Sequence, residues 1–364
     1  MTLLTIFSIL ASLSVYGLLC FYIGVNGWAL IKTTFLGKYK KSYIALIVFL
    51  SSSLFAGFFL PFSLLEWIGG YWMAVFAYSL MILPIVNLLY FFGKKKHVKW
   101  YGIGVLTVFF FIFSYGSYNA WTPIVRTYEI TVNKKSPMKD VKIFMASDLH
   151  LGSVVGVNHL KRLVHLANVE KPDLVLLAGD IINDNIDPFL QKNMGKMLAE
   201  IKAPLGIYAV LGNHDYYGGD SINLKAELNK RGITVLMDEY VNINDSFYLV
   251  GRKEHTDPGR KFLQEYLQGL DKNKPIIMMD HQPKDLKEAE ENGVDLLLSG
   301  HTHRGQLAPA NFLTNAIFEN DWGHLAKGNF HSLVSSGFGL WGPPLRIGSQ
   351  AEVLVIDVRF AKSS

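Results

Sequence analysis

The sequence predicts a region of four membrane-spanning helices followed by an α/β domain. Four long apolar runs, none containing Lys, Arg, Asp or Glu, precede residue 120. Beyond about Thr127 the texture changes to short Val-, Ile- and Leu-rich runs that alternate with amphipathic stretches. Five of those short runs end in Gly, Asp, Asn or His, as buried strands leading into functional loops do. Composition agrees. Half of the 364 residues are hydrophobic, and the excess lies before Trp121. The formal charge of +5 leaves no polybasic footprint, so no nucleic-acid binding is indicated. Cys20, the one cysteine, cannot form an internal disulfide and sits in an apolar run, where it packs as a small hydrophobe.

The apolar runs cover residues 3–29, 43–62, 71–92 and 101–118. Each is close to the roughly 20 residues that cross a bilayer as a helix. The first lacks a basic leading segment and is too long for a cleaved signal, so it reads as an anchor. Lys32, Lys38, Lys40 and Lys41 lie between the first two runs, and Lys94, Lys95, Lys96 and Lys99 between the last two. The connection "LLEWIGG" carries no basic residue. The positive-inside rule then puts both lysine loops in the cytoplasm, and the N-terminus and everything after the fourth helix outside. The expectation is a multi-pass cell-membrane protein with an extracytoplasmic catalytic domain. Trp67, Trp72, Trp100 and Trp121 stand near run ends, as an interfacial aromatic belt would.

Residues 121–139 read as a juxtamembrane link and a first strand, "TYEITVN", so the chain divides at 1–120, 121–139 and 140–364. "VKIFMAS", "DLVLLAG", "GIYAVLG", "PIIMMD" and "VDLLLSG" are too short for helices and read as strands buried on both faces. Helical candidates lie near 157–169, 187–201, 221–231, 258–270 and 284–291, and two further strands in "HSLVSSGFG" and "AEVLVIDVRF". This alternation predicts helices covering a sheet. Residues 307–325, apolar and aromatic, carry little strand or helix pattern.

The strand ends hold Asp148 and His150 ("SDLH"), Asp180 ("AGD"), Asn213 and His214 ("GNHD"), His281 ("MMDHQ"), and His301 and His303 ("GHTH"). Ligands of open α/β sheets gather beyond such ends. In extended chain residues i and i+2 point the same way, so Asp148/His150 and His301/His303 would each aim two donors in one direction. Carboxylate oxygens mixed with imidazole nitrogens suit Mn, Fe or Zn better than Ca. A pair of cations about 3.5–4 Å apart, sharing one carboxylate, fits a set of this size. Asp148, His150, Asp180, Asn213, His281, His301 and His303 make up the set, and His214 is left over.

The series "DLH … GD … GNHD … H … GHTH" resembles the calcineurin-like metallophosphoesterase superfamily over about residues 140–360. The resemblance implies a four-layer α/β/β/α sandwich around a dinuclear metal centre. It implies Asp148, His150 and His303 on the first metal, Asn213, His281 and His301 on the second, and Asp180 bridging. His214 matches the catalytic histidine, and Asp215, which follows it, could orient the imidazole. Asp184, which completes "GDIIND", matches a position that is often structural. The tail "SSGFGLWGPPLRIGSQAEV" is similar to that of the membrane-anchored bacterial subgroup and marks Arg346 as a candidate substrate contact. Arg304, where the subgroup commonly has a small residue, is a second one, since a guanidinium can bind phosphate bidentately.

The expected reaction is metal-assisted hydrolysis of a phosphoester, with His214 protonating the departing oxygen. The bilayer and a phosphoester, lipid-linked in the preferred reading, are the expected partners. A membrane- or envelope-associated phosphodiester is the preferred substrate class. A pyrophosphohydrolase acting on a nucleotide-diphosphate-linked acyl sugar is the enzymatic alternative. A catalytically silent membrane sensor or scaffold is the alternative from another class, and its signature, missing ligands, is not found. Four helices without an intramembrane charge make a transport path hard to build.

Overall fold

The apolar runs fold as α1 (Leu3–Ile31), α2 (Lys40–Phe59), α3 (Ser63–Phe92) and α4 (Val98–Trp121). The computed structural model describes residues 2–59, 63–94 and 96–362. Among these, α1, α3 and α4 are long and apolar enough to cross a membrane. Three of the four expected spans meet that test, and the fourth, α2, is not confirmed by it. The expected run of α2 reaches to residue 62, and residues 60–62 lie outside the described residues, as does Lys95.

Two units divide the chain. One runs to Gly116 and includes Gly342–Leu345; the other comprises Ser117–Trp341 and the chain from Arg346 on. In the helical unit Cys20, Ile23, Trp72, Leu83 and Val105 form a buried cluster. Polar side chains tie its helices together: Trp72 donates to the Tyr16 hydroxyl (2.8 Å), Tyr16 to Ser51 O (2.9 Å) and Tyr43 to Gly24 O (2.7 Å). Such bonds and close packing associate helices in lipid, where burial of apolar surface adds nothing. Trp72 is therefore a bundle residue and not a member of an interfacial belt.

The second unit holds two six-stranded sheets. Its strands are β1 (Ile124–Ser136), β2 (Asp140–Ala146), β3 (Leu174–Ala178), β4 (Ile207–Val210), β5 (Ile233–Val235), β6 (Glu239–Ile243), β7 (Phe247–Gly251), β8 (Ile276–Met279), β9 (Leu296–Ser299), β10 (Gly323–Lys327), β11 (Phe330–Val334) and β12 (Glu352–Lys362). The first sheet runs β1-β12-β2-β3-β4-β5 and the second β10-β11-β9-β8-β7-β6. β2 to β5 are mutually parallel, as are β7, β8, β9 and β11. Helices α5 (Val157–Glu170), α6 (Asp187–Gln191), α7 (Met194–Leu198), α8 (Asn213–Tyr217), α9 (Ser221–Lys230), α10 (Leu263–Leu267), α11 (Leu286–Glu291) and α12 (Ala310–Ile317) complete the unit.

Strand alternation explains why the five central runs read as continuously apolar. Leu174, Leu176 and Ala178 of β3 join Ile277 and Met279 of β8 and Leu296 and Leu298 of β9 in a core between the sheets. Val175 and Leu177 turn outward onto Leu160 and Leu163 of α5 and Leu224 and Leu228 of α9. Ile276, Met278 and Leu297 turn outward on the other side, onto Leu263 of α10 and Leu286 of α11. Helices, sheet, sheet and helices thus stack in four layers. Each fully buried aliphatic side chain contributes about 1.5–3 kcal/mol.

The expected helix over 187–201 is two short ones, broken by Asn193 in the left-handed conformation. That over 258–270 shrinks to α10, because Pro258 and Gly259 end any earlier turn. Residues 307–325, patternless in the sequence, contain α12 and the start of β10.

Candidate metal centre

Every expected ligand lies just beyond a strand end. β2 stops at Ala146 and β9 at Ser299, so the residues that follow are not extended. Asp148, His150, Asp180, His301 and His303 all have positive φ, between 44° and 71°. The reasoning from extended i, i+2 geometry is therefore corrected. Left-handed turns aim these side chains, at a cost of about 1–2 kcal/mol per residue, and hydrogen bonds between neighbouring strand ends hold the turns. Asp148 N donates to Gly179 O and His150 N to Asp180 O, both at 2.9 Å.

The donors converge in two overlapping groups. Asp148, His150 and His303 form one group whose ligand atoms lie within 4.8 Å of one another; Asp180, His281 and His301 form another. In the first, His150 Nε2 is 3.0 Å from His303 Nε2, which is 3.5 Å from Asp148 Oδ1. In the second, His281 Nε2 is 3.2 Å from Asp180 Oδ2, and His301 Nδ1 is 2.9 Å from Asn213 Oδ1. Asp180 Oδ2 also lies 3.7 Å from His150 Nε2, so this carboxylate touches both groups. His281 Nδ1 donates to Ala178 O at 2.8 Å, which turns Nε2 inward. That inward nitrogen is buried and has no hydrogen-bond partner, as a metal-directed imidazole would.

The motif glycines provide the room. A Cβ on Gly212 would collide with the Asp180 carboxylate, and one on Gly300 with the Asp148 carboxylate and Ser147. "GNHD" and "GHTH" thus need glycine so that each turn can pass against a ligand contributed by another strand.

An uncharacterized metallophosphoesterase of Aquifex aeolicus is 36% identical over 247 residues, which cover 65% of this chain and 91% of that protein. The chain belongs to the calcineurin-like phosphoesterase family. The family profile, described as calcineurin-like phosphoesterase, matches residues 141–305 of this phosphoesterase. A metallophosphoesterase of Campylobacter jejuni is 28% identical over 92% of this chain and 94% of its own length. A bovine transmembrane protein with a metallophosphoesterase domain is 32% identical over 66% of this chain and 58% of its own. The phosphoesterase is a metal-dependent phosphoric ester hydrolase, and its apolar helices associate it with a membrane.

Electrostatics fit such a centre. Burial pushes the Asp148 carboxyl up to about 6. Burial would raise Asp180 too, but His281 beside it outweighs that and holds it well below the carboxylate range. Desolvation lowers His150 and His301 to about 3, and His303 well below its usual value, so all three imidazoles stay neutral and can donate a lone pair. His281 differs: burial would lower it, but the acids around it, Asp180 first, outweigh that and hold it well above its usual value, so it supplies cationic charge of the kind buried carboxylates call for.

His214 does not face its expected partner. The Asp215 carboxylate accepts from the backbone N–H groups of Ile181 (3.2 Å), Ile182 (2.9 Å) and Gly212 (2.8 Å), which leaves it pinning the loop and away from the imidazole. Burial and the nearby Asp180 push it up to about 7. Asp184 takes the expected role instead, with Oδ1 2.6 Å from His214 Nδ1. Its one available signal was its place four residues after Asp180. Burial lowers the His214 pKa, and the Asp184 hydrogen bond together with the charges of Asp180 and Asp184 more than reverses that, for a net rise.

The two arginines also part company. Arg346 is fully buried and donates to Ser336 O (2.7 Å), Gly337 O (3.0 Å) and Gly339 O (2.7 Å), with Nη2 3.3 Å from His303 Nδ1. Its expected role as a substrate contact is corrected: it braces the loop behind His303. Arg304 lies with its guanidinium carbon 3.8 Å from the Trp322 ring centre. Aromatics flank the centre: the exposed Tyr217 and Trp341 lie 5.1 and 6.1 Å from the His214 ring, and the half-buried Phe318 6.0 Å from the His301 ring.

Proposed function

We propose that the chain is a membrane-anchored phosphodiesterase that hydrolyses a membrane- or envelope-associated, lipid-linked phosphodiester. In this reading residues 1–120 form the membrane domain, 121–139 the link and first strand, and 140–364 the catalytic domain. Asp148, His150 and His303 would hold one metal and Asn213, His281 and His301 the other, with Asp180 shared between them. The observation that carries the reading is the meeting of the two donor groups at Asp180, 3.7 Å from His150 and 3.2 Å from His281. Two divalent cations, Mn, Fe or Zn by donor chemistry, would neutralise phosphate charge and supply a nucleophile at neutral pH. His214, held by Asp184, gives a proton to the departing oxygen. Arg304, stacked on Trp322, receives a substrate anion. The diester preference is supported by the rim. Aromatic groups stand beside both His214 and His301, so a phosphate with substituents on two sides finds apolar surface for each.

The test is hydrolysis of an aryl phosphodiester and the matching monoester by the detergent-purified chain, with Mn²⁺, with EDTA, and with Asp180→Asn as control. Metal-dependent diester cleavage lost in the variant is expected. Faster monoester cleavage would reject the diester assignment, and a protein that binds no metal would reject the dinuclear one. The catalytic domain is proposed to be extracytoplasmic, which requires α2 to cross with the other three helices. A Phe262→Cys chain lacking Cys20 should then react with an impermeant maleimide on intact cells. Labelling only after lysis would reverse the orientation.

A further inference from the structure

Helix α12 is inside-out. It follows the turn that carries His301 and His303, and none of its eight residues is buried. Phe312, Leu313 and Ile317 are 75%, 62% and 62% exposed. Thr314, on the opposite side, turns inward and donates to Asp321 Oδ2 at 2.8 Å. A helix on a water-facing surface has the reverse arrangement. Charge is missing as well: no Lys, Arg, Asp or Glu occurs from Gly305 to Phe318. The nearest acid, Glu319, is ion-paired with Lys327. An exposed apolar face with no charge around it marks a contact with an apolar phase or partner.

We infer that α12 inserts Phe312, Leu313 and Ile317 into the interfacial layer of the bilayer in which the chain is anchored. The bilayer is the occupant the chain itself supplies. α4 ends at Trp121 and β1 begins at Ile124, so three peptide units, about 10 Å fully extended, join a membrane-crossing helix to the catalytic unit. The loop leading into α12 is fixed by a bridge from Leu307 to Ile347. A short helix with Phe and Leu on one face lies in the interface plane without spanning the membrane. The metal-centre turn, directly joined to α12, would then work at lipid level. The inference holds whichever phosphoester is cleaved.

The experiment uses the full chain in proteoliposomes, with Cys20 replaced by Ser and a single cysteine at Leu313 or Ile317 carrying an environment-sensitive NBD dye. Ile222→Cys on α9, 69% exposed, is the solvent control. Blue-shifted emission at 313 and 317, lost to lipids bearing acyl-chain nitroxides and insensitive to iodide, is the expected result, with the reverse at 222. Water-like emission quenched by iodide at 313 and 317 would overturn the inference. So would dyes shielded from iodide yet untouched by the nitroxides, since a protein surface would then cover the helix. Two labelled positions keep the outcome independent of one variant's folding.

Discussion

His214 and Asp184 form a hydrogen-bonded acid–imidazole pair at the mouth of the centre, and its carboxylate reaches solvent, the Asp184 side chain being 42% exposed. A general acid works protonated, and the Asp184 bond raises the His214 pKa, so activity should persist as pH rises and fall away only through that raised value. Asp184→Asn is expected to move the alkaline limb of the kcat profile to lower pH. His214→Ala should lower kcat by about 10²–10⁴-fold while bound metal, measured by mass spectrometry, stays constant. Metal lost together with activity would instead make His214 a ligand. Asp148, His150 and the "GHTH" histidines were legible because few residue types can end a buried run in this way. Asp184 was legible only as spacing. Whether a carboxylate reaches an imidazole or a backbone amide depends on turn geometry, here the positive φ of Asp184 (61°), which composition does not encode.

Between residue and fold, the loops carry the cost of the site. Gly212→Ala would drive a methyl into the Asp180 carboxylate, so the variant is expected to purify folded but deficient in metal. Full metal content would show that the turn can yield. Behind His281, Asp280 is clamped by Arg260 (3.1 and 2.6 Å) and Arg252 (3.5 Å). Asp280→Ala leaves Arg252 to Asp285 and Glu288 and Arg260 to Asp285, so the thermal midpoint of the catalytic unit should fall, by less than the roughly 3–5 kcal/mol of a fully unpaired buried charge. The strands were legible because both faces of β3, β8 and β9 are buried, so their runs stay apolar throughout. α12 was not legible. Its apolar residues face outward, and a pattern that assumes a buried apolar face finds no helix there.

For the whole molecule, cation binding and folding are linked. Ligands that bind only the folded state stabilise it by RT ln(1 + [L]/Kd), about 2.7 kcal/mol for each site at a hundredfold excess over Kd. EDTA should therefore lower the thermal midpoint as well as abolish hydrolysis, and Mn²⁺ should restore both. The two-part architecture was readable from the shift in texture near Thr127. The four apolar runs were readable in the same way, and each of them is helical. The strand order has a further consequence, for synthesis. β1 leaves the membrane region first, yet among the described residues its sheet neighbour is β12, with Ile124 paired to Glu352. On the ribosome, the nascent β1 must wait, edges unpaired, until nearly the whole catalytic sequence has emerged. The first sheet then closes late, after the membrane helices have been made.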